Sequence, residues 1–128
     1  MVLPNHFAAV LAVTAGLMLA VLPALAQPRT PSGAVSVAQV LTAVARAPRE
    51  AGARERLAAY VSGLAEGLVA ANRLAETRGK GRLFCAGPVR LDGATLWAVL
   101  TAAVPDAAQR ARVAATPLLV NHLAARAC

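Results

Sequence analysis

From Phe7 to Leu22 the chain reads FAAVLAVTAGLMLAVL, sixteen residues without a charge, and Pro23 breaks the run before Ala24-Leu25-Ala26. Small residues at the minus-three and minus-one positions make an A-x-A cleavage site, so residues 1–26 read as a secretory signal peptide cut before Gln27. The alternative is a retained anchor. A bilayer core of roughly 30 Å asks for about 20 apolar residues, and the proline and the cleavage site both favour removal. The n-region, Met1 to His6, lacks the Lys or Arg that such signals usually carry, and no cysteine sits at the cleavage site to accept lipid. What folds is therefore expected to be the remaining hundred or so residues, enough for one domain, with no stable membrane anchor after cleavage.

All 13 basic and 6 acidic side chains fall after Ala26, so that body carries the whole net charge of +7. Such a balance can mark nucleic acid as a partner. The basic residues are scattered, twelve of them are Arg, and export removes most nucleic acid from reach, so a nucleic-acid partner is not expected. Cys85 and Cys128 are the two cysteines of the chain. In an oxidising compartment an even pair reads as a bridge, in the cytosol as two thiols. The signal peptide selects the bridge. It would close a loop of 44 residues, from 85 to 128 inclusive, with a stabilisation of roughly 4 kcal/mol in the chain-entropy model.

Residues 27–35, QPRTPSGAV, carry turn formers and no periodicity and read as a flexible linker. Ser36 then caps a helix whose apolar positions Val37, Val40, Leu41 and Val44 form one stripe. Ala47-Pro48 ends it, because proline drives the preceding residue out of the helical region. A long helix follows over about 50–77. Leu57, Tyr60, Val61, Leu64, Leu68 and Ala71 share one face, and Arg54, Glu55, Ser62, Glu66 and Arg73 lie elsewhere. Gly63 and Gly67 cost about 1 kcal/mol each against alanine inside a helix. They suggest either an element packed close on this backbone, from this chain or from a second copy in a homodimer, or neutral drift on an exposed face. After the basic turn Arg78-Gly79-Lys80-Gly81-Arg82, Phe84 supplies an apolar anchor beside Cys85. Asp92 caps a third helix that directs Leu96, Trp97, Leu100 and Val104 to the core. Pro105 stops it. Thr116-Pro117 reads as N-cap and first helical residue, so residues 106–126 are one kinked helix or two short ones. No strand alternation appears. The fold class is all-α, a compact bundle of four to five helices closed by one disulfide, with residues 36–128 as its domain.

The inventory of reactive groups is poor. His122 is the one histidine beyond the leader, which leaves no cluster with metal-ligand spacing. A Cys–His pair drawn from Cys85 or Cys128 with His122 is conceivable, but the bridge uses both thiols. Asp92 and Asp106 stand at helix starts, where capping accounts for them, and the glycines around Gly79 follow no strand and match no phosphate loop. Neither an enzyme nor a cofactor or metal protein is expected. Binding remains, and Arg78, Lys80 and Arg82, joined by Arg90 across the Cys85 loop, form a basic cluster that can steer an acidic partner. The bland alternative is a solvated loop.

One order of motifs goes further. Tyr60-Val61-x-Gly63-Leu64-x-Glu66-Gly67 is followed by Phe84-Cys85-x-x-Pro88, Pro105-Asp106, Leu119-Val120-x-x-Leu123 and a terminal Cys128. Over about residues 53–128 this resembles the Rap/Tai family of periplasmic immunity proteins, which neutralise peptidoglycan amidase effectors of type VI secretion systems. The family pattern is a Tyr-x-x-Gly helix, a Phe-Cys-x-Pro turn, a Pro-Glu step and a terminal Pro-Cys. Here the proline comes one residue later after Cys85, Asp106 stands for Glu, the stretch from Ala107 to Thr116 is longer, and Ala127 replaces the last proline. The resemblance implies a helical, singly bridged periplasmic protein that occludes the active site of a cell-wall amidase, with no catalytic residue of its own.

The leading expectation is thus an amidase inhibitor. The alternative, from another class, is an acid-stress chaperone or an orphan envelope binding protein, since small helical single-disulfide chaperones share this outline. Six carboxylates give a chaperone few groups to titrate in acid.

Overall fold

The computed structural model describes residues 30–84 and 90–125. The leader and both cysteines lie outside the described residues. Four helices run in order: α1 (Val37–Arg46), α2 (Ala51–Thr77), α3 (Gly93–Ala103) and α4 (Ala115–Ala124). Among the described residues there is no strand beyond one isolated antiparallel bridge between Ser36 and Ala114. No described helix is long and apolar enough to cross a membrane.

Each helix boundary has a local cause. At α1 the Gln39 amide donates to Ser36 Oγ at 3.2 Å and the Ser36 amide donates to Gln39 Oε1 at 2.9 Å. This reciprocal capping box satisfies two donors that helix geometry leaves without partners. Beyond Arg46 the chain turns through Pro48, and the Arg46 carbonyl accepts from both the Arg49 and the Glu50 amides. The α2 helix runs on to Thr77 and stops at Gly79, whose φ of 69° suits a residue without Cβ. There the Gly79 amide donates to the Glu76 carbonyl and the Lys80 amide to the Ala75 carbonyl, at 3.0 and 2.9 Å. Asp92 caps α3 by accepting from the Thr95 amide at 2.8 Å.

The helices pack as a chain of neighbours, α2 on α1, α1 on α3 and α3 on α4. Val37, Val40 and Leu41 of α1 meet Leu96 and Leu100 of α3, Leu119 and Leu123 of α4, and Leu68 of α2, with Leu91, Val104 and Ala115 completing one buried cluster. At roughly 25 cal/mol per Å² of apolar surface this cluster is the main source of stability.

Three expectations are corrected. Trp97 is not a core residue: 45% of its surface is exposed. Leu96, Leu100 and Val104 occupy the buried line at four-residue steps, and the position after Leu96 is turned about a quarter of the way round the helix, out of that line. Residues 106–114 are not helical, since 107–112 form successive turns. Arg110 holds them, its Nε donating to the Val104 carbonyl at 2.9 Å and its Nη2 to the Pro105 carbonyl at 3.1 Å. Nor does Thr116-Pro117 open α4. The N-cap is Ala114 and the helix begins at Ala115; the Ala115 amide, one of those a helix start leaves without an intrahelical partner, donates to the Val35 carbonyl at 2.9 Å, and the Thr116 hydroxyl pairs with Tyr60. The described part of the expected linker, residues 30–35, meets the body at Val35, whose carbonyl accepts from the Ala115 amide. Thr30 is buried, and its hydroxyl donates to the Ala34 carbonyl at 3.0 Å.

Candidate functional site

The basic turn after α2 is built on Asn72. This residue lies on the buried side of α2, one turn beyond Leu68, and its amide side chain reaches across to the returning chain. Its Oδ1 accepts from the Leu83 amide at 2.9 Å and the Phe84 amide at 3.0 Å, and its Nδ2 donates to the Phe84 carbonyl at 2.9 Å. One side chain therefore holds both backbone polar groups of Phe84. The Phe84 ring packs against the core cluster, while Leu83 beside it stays about half exposed.

Arg78, Lys80 and Arg82 are all exposed on this turn. Arg82 Nε stands 2.6 Å from Glu76 Oε1, so one charge of the expected cluster is matched by a carboxylate of the same helix end. Exposure of both partners keeps such a pair worth about 1 kcal/mol or less. Arg90 is exposed too, but among the described residues no hydrogen bond or ion pair joins it to the other three.

Tyr60 lies half buried on α2. Its ring packs on the core and its hydroxyl lies 2.9 Å from Thr116 Oγ1, linking α2 to α4. Burial pushes the phenol pKa up, and the Thr116 hydrogen bond opposes the shift in part. At Asp92 the bonds from Thr95, the backbone amide first, hold the carboxyl below its ordinary range. Gly63 and Gly67 turn the other way: both are exposed, and nothing described lies within 4 Å of a Cβ built at either. The expected close contact from another element of this chain is absent among the described residues. His122 Nε2 is buried with no hydrogen-bond partner among those residues, and no group of His, Cys, Asp or Glu among them has the placement to hold a metal ion.

A groove of about 180 Å³ runs between α1 and the first half of α2. Val35, Val40, Ala53, Leu57 and Tyr60 supply apolar lining, and Arg46 and Arg56 add the two guanidinium groups. The sequence reading had no signal for it, because its residues come from two helices and each looks ordinary on its own. Asn72 was missed as well, and Thr116 was read as a cap rather than as the partner of Tyr60. A polar side chain interrupting the apolar line of α2 was the available sign for Asn72. Compared with protein-family models, curated proteins and solved structures, the chain matches none.

Proposed function

We propose that this protein is exported through a cleaved signal peptide and acts in the periplasm as an inhibitor of a peptidoglycan amidase, in the manner of the Rap/Tai immunity proteins it resembles. The observation that carries the reading is the turn held by Asn72. A loop with its backbone fixed in the free protein loses less entropy on binding. This one carries Arg78, Lys80 and Arg82 on one side of the Phe84-Cys85 step that bears the family likeness. In this reading a Cys85–Cys128 disulfide ties the same turn to the end of the chain, and the exposed guanidiniums steer an acidic rim of the effector. Amidase inhibition is tested by exporting type VI peptidoglycan amidases, those of the protein's own genome first, to the periplasm with and without the protein. Survival and co-purification are expected together, and lysis unaffected by the protein overturns the reading.

A second reading, an envelope chaperone, has its own observation: Val69, Leu74, Leu83 and Trp97 are each large, apolar and about half exposed. A chaperone would loosen in acid and bind an apolar dye near pH 2 or 3, roughly where the last carboxylates protonate. An inhibitor would remain closed and hold one partner.

A further inference from the structure

The groove between α1 and α2 supports an inference independent of the amidase reading. Its lining is apolar where Val40 and Ala53 are buried and Leu57 and Tyr60 half buried, and Val35 flanks it from the segment before α1. An apolar cavity of about 150 Å³ holds one benzene ring, so 180 Å³ suits one ring or a short branched chain. Longer lipid tails are too large for it.

The charges specify the other end of the ligand. Arg46 stands 3.9 Å from Glu50, with both side chains about half exposed, a pair too weak to hold it against a better anion. Arg56 makes no ion pair among the described residues. Its Nη1 lies 3.3 Å from where a Cβ on Gly52 would stand. That distance places the guanidinium beside the first turn of α2. Ala53 of that turn lines the same groove, and the helix begins without a side-chain cap, so the positive end of its dipole adds to the field. A cation would be repelled by both guanidiniums, whereas a carboxylate offers Arg56 the ion-pair partner it lacks among the described residues.

We propose that this groove binds a small free monocarboxylate with an aryl or short alkyl body, the body on Val40 and Leu57 and the carboxylate at Arg56 with Arg46 alongside. The test is titration of the purified protein with phenylacetate and hexanoate, followed by NMR of the Val40 and Leu57 methyl groups and the Arg56 side chain. Saturable shifts confined to this groove are expected. Phenethyl alcohol, of similar shape but uncharged, should bind about tenfold more weakly, and Arg56→Ala should lose about tenfold for phenylacetate, the loss of one charge-assisted hydrogen bond. Equal binding of acid and alcohol, or no effect of Arg56→Ala in a folded variant, overturns the proposal. So does binding of an acidic phenylalanine-containing peptide when the free acids do not bind.

Discussion

Asn72 shows how much one polar side chain can organise. It completes three hydrogen bonds to residues 83 and 84, and no other described side chain bonds to their backbone. Asn72→Ala is expected to cost about 1–3 kcal/mol, since it leaves partly buried peptide groups without partners. Urea unfolding measures the loss, and faster hydrogen exchange at the Leu83 and Phe84 amides locates it. Tyr60 gives a second handle, because it is the chain's one tyrosine and its ionisation can be followed alone. Its phenol is held above the usual value near 10. The folded state therefore favours the protonated form: the contribution to stability is whole below about pH 10 and is lost as pH rises through the raised value. Thr116→Val removes the bond that opposes the shift, so the phenol should titrate at still higher pH, visible in the phenolate absorbance of the folded protein.

At the scale of the helices, the sequence pattern located all four and most of their inward faces. Ser36 and Asp92 were legible as caps because their side chains act within three residues of themselves. Where the reading failed, the deciding contact came from far along the chain. Thr116-Pro117 has the form of a helix start, yet the cap falls two residues earlier at Ala114, next to the Ala115 amide that Val35 receives, and the Thr116 hydroxyl pairs with Tyr60. Trp97 failed differently, because apolarity does not say which of two adjacent residues falls on the buried line. The two residues should separate cleanly by mutation. Leu96→Ala should cost about 2–5 kcal/mol as a cavity in the core, whereas Trp97→Ala should stay within about 1 kcal/mol. Denaturation of each variant measures the difference, and Trp97 fluorescence should have the red-shifted emission of a wet indole. Gly63→Ala and Gly67→Ala meet open space, so each should raise stability by about 1 kcal/mol through helix propensity alone, read as a higher melting temperature.

For the molecule as a whole, the all-helical class was readable from periodicity, while the groove beside α1 was not, because no local pattern says which faces of two helices leave a space between them. The same non-local character shows in how α1 begins. The Val37 amide donates to the Val113 carbonyl and the Ala38 amide to the Arg110 carbonyl, at 2.9 and 3.0 Å, while the Val35 carbonyl receives the Ala115 amide. The first helix is therefore completed by a segment more than seventy residues downstream. Closing so long a loop costs entropy before any contact is gained, and contacts of this separation slow folding. While the chain lengthens, the carbonyls that complete α1 are missing until residues 110–113 have been made, so the Val37 and Ala38 amides stay with water until then.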